Sequence, residues 1–199
     1  MNFEDIKKIL KTKTVGIAGC GGLGSNCAVA LARTGIGKLI IADFDKIEES
    51  NLNRQYYFYD QIGQAKASAL KTIIQRINPE TIVESHTILL EPANIPSIFK
   101  DCDVIVEAFD RTEMKEMIMK VISNNFPEKH LIMGIGMAGW GANNLFTDKE
   151  FGNLIICGDG VNEIREDNPP LAPRVGIVAN MQANVVLEIL LGKNMNQIG

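Results

Sequence analysis

Cysteine is scarce and unpaired in this chain. Four cysteines occur in 199 residues, at positions 20, 27, 102 and 157, with no CxxC pair and no metal-like cluster among them. That excludes zinc patterns built on close thiolate pairs, so no zinc is expected, and it favours reduced thiols in a cytoplasmic setting over a disulfide framework. An excess of basic charge is also missing. The formal net charge of −4 argues against nucleic acid as the main partner, while leaving room for a local basic pocket. No apolar run approaches membrane-spanning length, and the acidic opening Met1-Asn2-Phe3-Glu4-Asp5 is unlike a secretion signal, so no membrane association is expected. Repeats, low-complexity tracts and linkers are absent, and His86 and His130 sit in no motif. What remains is an ordinary globular composition, 46% hydrophobic and 22% charged, long enough for one domain over 1–199 with a sizeable core.

The chain is organised around residues 15–25. An apolar run ends in Gly19-Cys20-Gly21-Gly22-Leu23-Gly24 and opens into a helix-like stretch through Arg33. Strand, tight turn and helix N-terminus follow one another with the Gly19-x-Gly21-x-x-Gly24 spacing of a nucleotide-binding βαβ unit. Gly19 permits the sharp turn, Gly21 lets phosphate oxygens approach bare backbone, and Gly24 lets the helix pack close on the strand. The first amides of that helix lack internal partners and carry partial positive charge, which suits an anion.

The rest alternates. An amphipathic helix is expected over 3–11 with Phe3, Ile6, Ile9 and Leu10 on one side, then strands near 13–18, 38–42, 81–85, 103–107 and 131–136, with helices between them ending near 35–37, 77, 100 and 124. Beyond 136 the rhythm changes: short strands are expected at 143–147 and 153–157, a proline-bearing loop over 158–171, and a last helix over 175–191 with Pro173 in its first turn. Val178, Met181, Val185, Leu187, Ile189 and Leu190 would cover the sheet. The fold class this predicts is α/β: a doubly wound, Rossmann-like, mostly parallel sheet with an antiparallel extension toward the C-terminus. Asp43 ends the second strand 19 residues after Gly24, where a dinucleotide or ATP site places a carboxylate on ribose hydroxyls. Its alternative is a solvated strand-end acid. Between the second strand and the next helix lies a polar loop longer than a plain connection needs, followed by Tyr56, Tyr57, Phe58 and Tyr59, which read as packing residues.

Several strings in order say more than any one alone: Gly-x-Gly-Gly-Leu-Gly, Asp43-Phe44-Asp45, Ser50-Asn51-Leu52-Asn53-Arg54-Gln55, Gly63-Gln64-Ala65-Lys66, and Asp110 past the fourth strand. Together they resemble the ThiF/MoeB family, relatives of the ubiquitin-activating enzymes, over roughly residues 12–147. Ala172-Pro173-Arg174-Val175-Gly176 resembles its short ThiF-type members. The resemblance implies an enzyme that uses ATP and Mg2+ to adenylate the C-terminal glycine carboxylate of a small ubiquitin-like sulfur-carrier protein ending in Gly-Gly, with thiamine biosynthesis as the expected pathway, and it implies a homodimer. It gives Arg54 a bidentate phosphate contact, Lys66 a second cationic charge, Asp43 the ribose, Asn51 a donor to phosphate or acceptor carboxylate, and Asp110 the magnesium. Gly19, Gly21, Gly22 and Gly24 line the nucleotide.

There are departures as well. Many members carry two zinc-binding CxxC pairs and an N-terminal arginine that reaches the partner's nucleotide; this chain shows neither pair, and the stretch before the first strand holds no arginine. Only Cys157 falls where some members keep a sulfur-transfer cysteine, and a buried strand-end thiol is the reading its surroundings favour. A non-catalytic carrier-binding scaffold of the same fold is an alternative. So is an NAD-dependent dehydrogenase, which leaves Arg54, Lys66 and Asp110 unused. The acidic charge weighs against the tRNA-modifying dehydratase relatives.

Overall fold

The computed structural model describes residues 1–192; the last seven positions of the expected 1–199 domain lie outside them. Seven strands, β1 Thr14–Ala18, β2 Lys38–Ala42, β3 Ile82–His86, β4 Val104–Glu107, β5 His130–Ile135, β6 Thr147–Phe151 and β7 Leu154–Gly158, form one sheet in the order β3-β2-β1-β4-β5-β7-β6. All neighbours are parallel except β6, which returns antiparallel on β7. The helices are α1 Phe3–Leu10, α2 Gly22–Thr34, α3 Lys66–Ile77, α4 Ile95–Phe99, α5 Thr112–Asn125 and α6 Ala172–Leu191.

Strands covered on both faces need apolar residues in both directions, which is why the central ones read as unbroken apolar runs. Val15, Ile17, Leu39, Ile41, Val104 and Val106 face one way, into a core shared with α1, α2, α3 and α6. Ala18, Ile40, Ala42 and Ile105 face the other way, onto α4 and α5. Each fully buried aliphatic side chain contributes about 1.5–3 kcal/mol. The chain steps outward from β1 to β2 to β3 and then crosses back to β4 on the far side of β1. That reversal leaves a crevice between the carboxyl ends of β1 and β4, the usual ligand position in a doubly wound sheet.

Three expectations need correction. Residues 143–147 do not form a strand: Asn143–Leu145 is a 3₁₀ turn entered through Ala142 at φ 52°, and the strand begins at Thr147. β6 is exposed along its length and carries Asp148, Lys149 and Glu150, charges that protect an open edge and erase the alternation a strand normally shows. α6 starts at Ala172, since Pro173 fits its first turn, and it is long and apolar enough to cross a membrane by length and composition, contrary to the expectation from the sequence. In the structure it presses Val178, Ala179, Val185 and Val186 into the core and buries Gln182, while Met181, Leu187, Ile189 and Leu190 are only half-buried. Finally, Phe3 is exposed rather than sharing the buried side of α1 with Leu10.

Candidate nucleotide site

The turn after β1 is closed by steric need. Gly19 sits at φ 99°, and a Cβ there would stand 2.8 Å from the Ala108 carbonyl oxygen; one on Gly24 would lie 1.9 Å from the Gly19 oxygen. The helix therefore begins hard against β1 and β4. Gly21 is its N-cap and no side chain caps it, so the amides of the first turn face the crevice. Side chains of that turn also hold the polar loop. Ser25 Oγ accepts from the Tyr56 amide at 2.9 Å, and Asn26 Nδ2 donates to the Arg54 carbonyl at 3.0 Å.

One half of the site gathers around the end of β2. Asp43 accepts from the Cys20 amide at 2.6 Å with one carboxylate oxygen and from the Asp45 amide at 2.7 Å with the other. Each oxygen keeps a further lone pair for a hydroxyl. Burial raises the Asp43 carboxyl above its usual value, against the pull of these amides and of Lys66. Lys66 opens α3 and is 6% exposed; its ammonium meets Asp45 at 2.9 Å, so the structure gives it an acidic partner the sequence reading had not assigned. Tyr57, buried against this half, reaches the Cys20 carbonyl at 2.7 Å through its hydroxyl.

The other half gathers at the start of α2. The aliphatic stem of Arg54 lies over Gly22, where an added Cβ would be 3.6 Å from Arg54 Cγ. Its Nη1 donates to the Ser50 carbonyl at 3.0 Å and to Asn53 Oδ1 at 2.7 Å. Burial lowers the Arg54 guanidinium and the nearby Asp110 carboxylate opposes that shift, which places these two charges in each other's field. Asp110 is exposed and caps nothing, because the N-cap of α5 is Arg111. Asn51 is mostly committed to the loop: its Oδ1 accepts from the Glu48 amide at 3.1 Å. The glycine turn, Asp43, Lys66, Asn51, Arg54 and Asp110 thus all lie along one carboxyl edge of the sheet.

Sequence reasoning passed over Gln55. It is 9% exposed, its Oε1 is buried with no hydrogen-bond partner, and its Nε2 lies 3.7 Å from where a Gly21 Cβ would be. A buried amide oxygen without a partner beside the turn is suited to a polar ligand. Its signal was its place in the string ending Asn53-Arg54-Gln55. Cys157 is fully buried in β7, and burial, helped by Asp148, pushes its thiol up to about 12, which leaves it a poor nucleophile in this conformation. Among the described residues no group of three or more His, Cys, Asp or Glu is placed to hold a metal ion.

A doubly wound sheet with an uncapped glycine turn, a strand-end acid and a cationic loop at its switch point defines a nucleotide-binding α/β protein. The chain belongs to the ThiF family, whose model matches residues 1–199. It is 31% identical over 192 residues to the adenylyltransferase and sulfurtransferase UBA4 of Kluyveromyces lactis, covering 92% of this chain and 42% of that protein. It is 32% identical over 123 residues to the ubiquitin-like modifier-activating enzyme 5 of Bombyx mori, covering 62% and 30%. The chain spans less than half the length of these curated relatives. Among solved structures, the fold is similar to the tRNA N6-threonylcarbamoyladenosine dehydratase TcdA of E. coli in complex with AMP, with TM-score 0.85 and 19% identity over 94% of this chain and 89% of that one.

Proposed function

We propose that this chain is an ATP-dependent adenylyltransferase, acting in the cytoplasm, that activates the C-terminal glycine carboxylate of a small ubiquitin-like sulfur-carrier protein for thiamine biosynthesis. The observation that carries this reading is Arg54 laid across Gly22 at the uncapped start of α2, with the Asp110 carboxylate in its field. A dehydrogenase would need the turn and Asp43 but would have no use for Arg54, Lys66 and Asp110.

In this reading Asp43 takes the ribose hydroxyls, and the first amides of α2 take phosphate oxygens. Arg54 and Lys66 neutralise charge as it grows on the transferring phosphorus and the departing pyrophosphate. A carboxylate oxygen of the carrier forms a bond to the α-phosphorus, the bond to pyrophosphate breaks, and an acyl-adenylate results without proton transfer. No side-chain nucleophile is required. Asp110, an exposed carboxylate at this end of the site, would hold magnesium, and the ion would supply positive charge to the triphosphate.

The test is exchange of labelled pyrophosphate into ATP by the full-length chain with a purified Gly-Gly-ending carrier. Exchange that depends on the carrier is expected. No exchange with intact ATP binding would leave the scaffold reading in its place, and binding of NAD without ATP would favour the dehydrogenase.

A further inference from the structure

Arg174, the third residue of α6, is 1% exposed, yet it lies outside the nucleotide half of the site. Its guanidinium gathers two loops. Nη1 donates to the Gly141 carbonyl and Nη2 to the Asp159 carboxylate, with the Gly136 carbonyl at 3.5 Å from Nη2, and the guanidinium stacks on Phe146 with its carbon 4.4 Å from the ring centre. Asp159 in turn accepts from the Val161 amide at 2.8 Å and the Asn162 amide at 2.9 Å. One buried guanidinium of α6 therefore joins the loop leaving β7, by an ion pair, to the loop leaving β5, by carbonyl hydrogen bonds.

The first of these loops could not hold its shape unaided. Gly136, Gly139, Gly141 and Ala142 all have positive φ, and Ala142 does so without a glycine's freedom. Backbone bonds from Ala138 to Asn162 at 3.1 Å and from Gly139 to Pro169 at 3.0 Å tie it to its neighbour. The pair of loops is then fastened to the phosphate end of the site. The Ala172 amide donates to the Asn53 carbonyl at 3.2 Å, Asn53 Nδ2 donates to the Pro170 carbonyl at 3.1 Å, and Val175 packs onto Gly22.

Topology says what these loops would border. The nucleoside half of the site stands at the ends of β1 and β2, so an acceptor approaching the α-phosphorus would border the ends of β4, β5 and β7. The loops that continue β5 and β7 are the ones Arg174 fixes. We propose that Arg174 and Asp159 are positioning residues that hold the acceptor-side wall of the site, setting affinity for the extended carrier tail and not for the nucleotide. This rests on the adenylation reading above.

The experiment is carrier-dependent pyrophosphate exchange by full-length Arg174→Lys, Arg174→Gln and Asp159→Asn variants, with ATP affinity measured separately by calorimetry. The expected result is a rise in the carrier KM of about tenfold in Arg174→Gln, equivalent to about 1.4 kcal/mol of lost pre-organisation. Arg174→Lys should fall between it and wild type, because an ammonium can pair with Asp159 but cannot span both loops. ATP affinity and kcat at saturating carrier should stay near wild type, whereas general misfolding would lower the active fraction and kcat. Should the Arg174 variants fail to fold, Phe146→Leu removes only the stacked face and should still raise the carrier KM by about threefold, as a lost stacking contact of about 0.6 kcal/mol would. Wild-type carrier KM in every folded variant, or equal losses toward ATP and carrier, overturns the inference alone. No carrier-dependent exchange in the wild type overturns the adenylation reading and this inference with it.

Discussion

Asp110 caps no helix and Arg54 makes only loop hydrogen bonds besides its packing on Gly22, which makes both usable probes of the chemistry. Arg54→Ala should lower carrier-dependent exchange by about 10²–10³-fold, the effect of losing one transition-state donor, about 3–4 kcal/mol. Asp110→Ala should do likewise with little change in melting temperature, since it caps no helix and a cap is worth about 1 kcal/mol. Wild-type exchange rates in both would refute their assignment. Asp43 adds a pH signature. Burial raises its folded-state pKa above 3.8, so its contribution to stability is full below 3.8 and is lost as pH rises through the raised value. ATP binding has the opposite sign, because only the ionised carboxylate accepts from both ribose hydroxyls. Calorimetry should show affinity falling on acidification at a pH above 3.8, and Asp43→Asn should remove that limb; an identical profile in the variant would exclude the ribose role. These residues were legible in sequence because each recurs at a fixed offset from a turn or strand end. The roles of Asp45 and Arg174 were not, since each takes its role from a partner folding brings near; Asp45, for example, meets an ammonium 21 positions away.

Between elements, a buried ion pair ties the end of β4 to α5 and β5. Glu107, fully buried at the end of β4, receives both of its carboxylate bonds to Lys115 of α5 at 2.8 and 2.9 Å and also accepts from the Phe109 amide at 2.6 Å. Lys115 continues to the Gly134 carbonyl of β5 at 2.9 Å, and Gln182 of α6 donates to the Glu107 carbonyl at 2.9 Å. Two helices thus fix the strand end from which Asp110 is displayed. Glu107→Gln would leave the Lys115 ammonium without its counter-charge, and denaturant unfolding should show a loss of about 3–5 kcal/mol. A change below about 0.5 kcal/mol, the ordinary surface value, would mean that this pair holds nothing. The central strands β1, β2, β4 and β5 were readable because burial on both faces writes itself as apolar runs, whereas β3 is a half-exposed edge. The extension was misread at 143–147 because β6 is an exposed, charged edge, and its pairing is specified by β7 and not by its own pattern.

For the molecule as a whole, the family resemblance implies a homodimer, and the apolar stretch 131–147 with Trp140 would supply part of its contact. The structure narrows that stretch. Leu131, Ile132 and Met133 are committed to the sheet, whereas Trp140 is 77% exposed and Leu145 is 42% exposed on the loop beyond it. Trp140 and Leu145 stand on one loop, so a second copy seated there would bury both. Trp140 is the single tryptophan of the chain, so its emission reports directly on whether that loop becomes covered. Sedimentation should show a species of two 21.8 kDa chains, and the tryptophan emission should shift to the blue as concentration rises through the association range. Trp140→Asp should favour the monomer without lowering the melting temperature, because the ring supports nothing in the folded chain. A monomer at concentrations well above those of the assay, with an emission maximum that does not move, would remove the dimer. A dimer whose tryptophan stays in water would keep the assembly but assign its interface to another face.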